Sequence, residues 1–185
     1  MPVSEDRAFT VNILGTLAQT IVDRQSIGME AVAGFGGNAP AALVTLRFYP
    51  ERPISFLAHK LRISHPGAVQ LVDRLAAAGL VERAMAVDGR SRLLVLTEHG
   101  ETIAAAVLAQ RRRVLEQALS SLDERACQAL SSTLATMLEA LTDDLLTSEF
   151  MCRMCDELAC PDDRCPVERA EPAPTDRRGT GYGVR

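Results

Sequence analysis

Apolar residues at Phe9, Val11, Leu14, Leu17, Ala18, Ile21 and Val22 recur at helical spacing, which predicts an amphipathic helix over residues 8–24. The following stretch, Ile27–Asn38, holds Gly28, Gly34, Gly36 and Gly37, and its second half reads as a loop. Asn38 with Pro40 marks a new start, and Ala41–Phe48 is a short apolar helix stopped by Tyr49-Pro50. Ser55 is placed to cap a third helix, Phe56–Leu61. After a tight turn at Arg62-Ile63, Ser64 caps a fourth, with Pro66 in its first turn. Its apolar positions Val69, Leu71, Val72 and Leu75 run toward Gly79, a natural stop.

The period then changes. Val81–Ala84 and Leu93–Leu96 are short extended pieces, and Val87-Asp88-Gly89-Arg90 between them carries the Asp-Gly signal of a hairpin. Thr97 opens a long helix over roughly 98–119. Ser121-Leu122-Asp123-Glu124 reads as a capping box for a last long helix. On that helix Leu130, Leu134, Met137, Leu138, Leu141 and Leu145 form a continuous apolar face, wide enough to require a partner such as a second subunit. The tail Arg169–Arg185, rich in Pro, Gly and charge, reads as disordered.

Composition narrows the class. With 185 residues and no tryptophan, the core must be aliphatic, and abundant Ala and Leu favour helices. No run is long enough to span a membrane and the polar start is no signal peptide, so a cytoplasmic protein is expected. The net charge is −4, yet it is unevenly spread. Residues 41–92 hold eight basic side chains (Arg47, Arg52, Lys60, Arg62, Arg74, Arg83, Arg90, Arg92) against four acids (Glu51, Asp73, Glu82, Asp88). That stretch is therefore +4 and the remainder −8, a balance that supports phosphate contacts from one face.

Helix, turn, helix and an arginine-tipped hairpin make a winged helix-turn-helix, which lays one helix in the major groove and reaches outward with the hairpin. The motifs Leu57-Ala58-His59-Lys60-Leu61, Leu71-Val72-Asp73-Arg74-Leu75, Gly79-Leu80-Val81-Glu82-Arg83, Asp88-Gly89-Arg90-Ser91 and Leu96-Thr97-Glu98-His99-Gly100 stand in order. Together they resemble the MarR family of bacterial regulators over about residues 8–147. The resemblance implies a mainly α fold, a winged helix-turn-helix with long terminal dimerisation helices and a small two-stranded wing. It implies a dimer on a palindromic double-stranded operator. Arg90 looks like the wing arginine that enters the minor groove, with Asp88 orienting it and Arg92 nearby on the wing. Arg74 looks like a backbone or support contact, while Asp73 braces the wing. The fourth helix departs from its relatives in beginning Ser64-His65-Pro66-Gly67-Ala68-Val69-Gln70. His65 and Gln70 are left as base readers, with Ser64 on phosphate.

The most specific chemistry lies further on. Cys152, Cys155, Cys160 and Cys165 follow the pattern C-x2-C-x4-C-x4-C, a spacing that lets four thiolates converge on one centre. Prolines at 161 and 166 follow the last two. The spacing equals that of a zinc knuckle with cysteine in the histidine position, though the knuckle's glycines and aromatics are missing. In placement the cluster also resembles those of redox-sensing MerR-type regulators, which bind a two-iron cluster. An iron–sulfur cluster leads, zinc follows, and a metal-free thiol switch remains open. Cys127, alone on an apolar helix, reads as a packed core cysteine.

The chain therefore divides into a first dimerisation helix and loop (1–38), a winged domain (39–97), dimerisation helices (98–148), a cysteine segment (149–168) and a tail (169–185). The expected function is a DNA-binding repressor tuned by its cysteine centre. The alternative is a repressor answering to a small organic effector, with structural zinc or a thiol switch. No Ser/His/Asp set, P-loop or dinucleotide fingerprint supports an enzyme, and His59, His65 and His99 all fall inside the winged motifs. An adaptor or metallochaperone would keep the cysteines and have no use for Arg90.

Overall fold

A computed structural model describes residues 4–85, 92–143, 145–160 and 162–170. It contains two compact units, residues up to Leu122 together with Arg153–Cys155, and the remainder from Asp123 onward.

The first unit opens with α1, Glu5–Ala33. Ser4 caps it by accepting the Arg7 N–H at 3.3 Å, and Glu5 and Asp6 favour its positive end. This helix outruns the predicted 8–24 and passes straight through Gly28. A Cβ at Gly28 would meet only the flexible end of the Gln110 side chain, on the long helix that packs against α1. The loop expected in the second half of Ile27–Asn38 begins after Ala33, where Gly34 ends α1 in a left-handed conformation. Four further elements follow in helical order: α2 Ala39–Phe48, α3 Ile54–Lys60, α4 His65–Ala77 and, past the hairpin, α5 Glu98–Leu119. Pro53 stands at the cap position of α3, so Ser55 lies inside that helix and not at its start. Proline suits this place because its fixed φ leads into the first turn.

Strands β1 (Val81–Met85) and β2 (Arg92–Leu96) pair antiparallel, Val81 opposite Leu96 and Met85 opposite Arg92. An isolated bridge adds Arg52 to the other side of β2, with the Leu94 N–H donating to the Arg52 carbonyl at 2.8 Å. The turn linking the strands, with Asp88, Gly89 and Arg90, lies outside the described residues. The core gathers Leu43, Val44, Leu46, Leu57, Leu61, Val72, Leu75, Leu94 and Val107, all essentially inaccessible.

The Thr97–Gly100 step shows how the hairpin is fixed to α5. The Thr97 hydroxyl donates to the Gly79 carbonyl at 2.6 Å and accepts the Gly100 N–H at 2.9 Å. A side chain at Gly100 would collide with the Leu80 carbonyl oxygen, which makes glycine obligatory there.

In the second unit α6 spans Glu124–Ala140, α7 spans Leu145–Met151 and α8 spans Pro166–Ala170. Asp123, not Ser121, caps α6, accepting the Ala126 N–H at 2.8 Å. The predicted cap is thus shifted two residues, and with Ala126 three positions on it is a simple N-cap and not a capping box. The continuous face expected through Leu145 is also interrupted, because α6 ends at Ala140 and the chain restarts as α7. The Thr142 hydroxyl turns back to the Leu138 carbonyl at 2.8 Å. Helix α8 packs on α6 and is tied to it by Arg169 and Glu139 at 2.5 Å. Residues 169 and 170, assigned to the tail from sequence, are therefore helical, and 171–185 lie outside the described residues.

Candidate nucleic-acid interface

Helix α4 has two faces. Ala68, Leu71, Val72 and Leu75, at helical spacing, are buried against the core, and α3 packs beside them. Ser64, His65, Gln70, Asp73 and Arg74 are exposed. Gln70 and Arg74, one turn apart, share one stripe. Ser64 performs its cap, accepting the Gly67 N–H at 3.2 Å, and its hydroxyl proton is still available for donation to an outside acceptor. The result is a helix of 13 residues held from behind, with a polar surface and its N-terminal end turned outward.

The basic stretch sorts itself once the fold is known. Lys60 is buried, with its ammonium 4.6 Å from the Tyr49 ring centroid. Arg52 lies over Phe56 at 5.3 Å, and Tyr49 and Phe56 are themselves 5.6 Å apart. Arg47 donates to the Glu101 carboxylate at 2.5 Å. Arg83 donates to Asp73 at 2.6 Å, bracing β1 against α4 through the residue that the family resemblance gives this role. Among the described residues of 41–92, the exposed cationic side chains are Arg62, Arg74 and Arg92. Arg92 begins β2, while Arg90 falls outside the described residues.

Arg62 occupies the turn between α3 and α4. Its backbone is left-handed, φ 52°, which closes α3 so that Ser64 starts α4 two residues later. Its N–H donates to the His59 carbonyl, and that of Ile63 to Ala58, each at 3.0 Å. Arg153, from the cysteine segment, belongs to the same unit. Burial and the neighbouring Arg62 both push its guanidinium below the usual arginine range.

The cysteines are all thiols, without a disulfide. Cys155 groups with the first unit, and Cys152, Cys160 and Cys165 group with the second. Cys152 begins a short 3-10 turn, the Cys160 N–H donates to the Asp156 carbonyl at 3.1 Å, and Cys165 is buried just before α8. Among the described residues no three His, Cys, Asp or Glu side chains are gathered as they would be around a metal ion. Four uncrosslinked thiols suit a soft metal by their chemistry. Cys127, expected in a core, is half-buried on α6, a helix with no buried residue.

No protein-family model and no curated protein sequence matches the chain. Solved structures do. A MarR family protein from Bacillus stearothermophilus superposes with a TM-score of 0.65 at 22% identity, covering 76% of this chain and 100% of its own. A MarR-like transcriptional regulator from Thermotoga maritima gives 0.58 at 26% identity, covering 72% and 96%. A protein from Listeria monocytogenes assigned to the MarR family, solved with a 26mer DNA, gives 0.55 at 16%, covering 77% and 91%. The fold is thus the winged-helix fold of these regulators.

Proposed function

We propose that this chain is a MarR-type bacterial transcriptional regulator, a dimeric repressor that binds a palindromic duplex operator. The carrying observation is α4, apolar side in the core, with Ser64, His65, Gln70 and Arg74 turned outward. A helix of this kind fits the major groove, where Gln reads adenine and Arg reads guanine or grips phosphate. Arg92 and, at the wing tip, Arg90 extend the contact to a neighbouring groove. The MarR-type neighbours, one of them in complex with DNA, support the same reading. No described helix is long and apolar enough to cross a membrane.

A dimer accounts for apolar surface that the single chain leaves uncovered. Phe9 is 66% exposed, and Val11, Leu14 and Leu17 follow it along α1; Leu134 and Leu138 are exposed on α6. Each such side chain is worth about 1.5–3 kcal/mol on full burial, enough in sum to hold two copies together. Two copies present two α4 helices, and half-sites about one helical turn apart follow from that symmetry.

The four thiols of Cys152, Cys155, Cys160 and Cys165 tune this regulator by holding an iron–sulfur cluster or zinc. A bound centre would supply a metal- or redox-dependent constraint on the segment after α7.

Selection of duplexes from a random pool by the purified chain tests the DNA reading. The expected winner is a palindrome; Gln70→Ala relaxes its sequence preference, and Arg74→Ala weakens binding across all sequences. Failure to enrich any duplex sinks the proposal. Anaerobic purification with iron, zinc and acid-labile sulfide analysis tests the centre. A brown protein that loses colour on Cys155→Ala supports the cluster, and one colourless zinc per chain makes the site structural and turns attention to an organic effector. Absence of both metals leaves a thiol switch.

A further inference from the structure

The described part of the wing ends in a pair of side chains that the core does not use. In an antiparallel ladder, directly opposite residues share a face. Val81, Arg83 and Met85 of β1 therefore stand on one side with Leu96, Leu94 and Arg92 of β2. At its base this side belongs to the core, where Val81 and Leu94 are buried. One step out, Arg83 donates to Asp73, so the same side is turned toward α4. At the outer end, Met85 opposite Arg92, both residues are exposed, Met85 to 58%.

Both strands are anchored behind this pair. The Arg83–Asp73 bridge ties β1 to α4. On β2, Leu94 accepts the Glu51 N–H at 3.0 Å and donates its own N–H to the Arg52 carbonyl at 2.8 Å. Gln70 and Arg74, exposed on α4, lie one turn before Asp73 and directly after it. A duplex laid along that helix is thus bordered by the outer end of the ladder. The walls of a minor groove are deoxyribose C–H surface lined by phosphates, so a contact there calls for an apolar and a cationic group side by side. Proteins that enter this groove combine arginine or lysine with apolar side chains, methionine among them. Met85 and Arg92 supply that combination across one rung, and an unbranched thioether adapts to an irregular surface.

We propose that Met85 is a DNA contact, seated against the deoxyribose wall of the minor groove beside the α4 site, with Arg92 opposite it on the adjoining phosphate. The inference rests on the DNA-binding reading. It adds an apolar contact to an interface otherwise built from polar and charged groups.

The test uses the full chain and the duplex that it enriches from the random pool. Fluorescence anisotropy across a potassium chloride series separates the two roles. Met85→Ala should weaken binding roughly four- to fifteenfold, the scale of one or two buried methylene groups, and by the same factor at every salt concentration. Arg92→Gln should instead flatten the slope of log affinity against log salt by up to about 0.9, the share of one phosphate. Met85→Leu, which keeps the apolar volume, should recover most of the affinity. Hydroxyl-radical cleavage at saturating protein reads deoxyribose exposure directly. Protection flanking the α4 contacts should be lost in Met85→Ala and kept in Met85→Leu, a readout that a change in protein stability would not move. Wild-type affinity in Met85→Ala, an equal loss in Met85→Leu, or flanking protection that survives the truncation overturns the proposal. Failure of the unaltered chain to enrich any duplex is a different result, and it overturns the DNA reading itself.

Discussion

Helices α2 and α6 are both rich in Ala and Leu, yet they meet opposite fates. Every residue of α2 from Ala39 to Leu46 is buried, whereas the 17 residues of α6 include none that is buried. Leu134 is 44% exposed and Leu138 37%. The contrast separates two sources of stability. Helix α2 is held by its own chain, wrapped by the hairpin and α5. Helix α6 packs on α8 and otherwise keeps its apolar stripe exposed, the surface that the proposed dimer would cover. One helix builds the fold and the other is available to build the assembly.

The contrast can be broken by substitution. Leu43→Ala, at a site with no exposure, should cost about 2–5 kcal/mol through lost burial and a cavity, whatever the protein concentration. Urea unfolding at two concentrations measures it; a cost below that of Leu134→Ala would mean that α2 is not the centre of the core. Gly100→Ala should cost about 1–3 kcal/mol, because the added methyl meets the Leu80 carbonyl and the Thr97 step has no room to yield. A melting temperature equal to wild type would show that the hairpin can shift. Asp123→Ala removes the cap of α6 and should cost about 1 kcal/mol, with Asp123→Asn recovering most of it. Equal loss in both would point to charge instead of capping. Leu134→Ala should change the stability of dilute protein least of all while weakening self-association, so that its effect grows with concentration. Sedimentation equilibrium reads this directly, and an unchanged association constant would remove α6 from the dimer face.

Much of the fold was legible because its signals are local. Ser64 and Thr97 cap their helices where expected, since a cap needs only the next three residues. The shift from helical spacing to extended pieces located β1 and β2 to within one residue. The outward residues of α4 followed from the same periodicity, with the buried set fixing the exposed one. Where the expectation failed, two candidates stood side by side: Ser121 reads as a cap, and Asp123, two residues on, takes the first turn.

Charge shows the division most clearly. Sequence alone determined that residues 41–92 are basic and that four thiols lie close together near the C-terminus. It also determined the order of elements, because periodicity, caps and turn residues act over a few positions. Only the tertiary structure decided that Lys60 is occupied by Tyr49, Arg83 by Asp73 and Arg47 by Glu101, while Arg62, Arg74 and Arg92 face outward. It alone assigned Arg153 and Met154 to the winged unit, some ninety residues after the turn that Arg62 occupies. The physical reason is that a side chain's charge is written in the sequence, whereas its partner is set by which distant segment packs beside it.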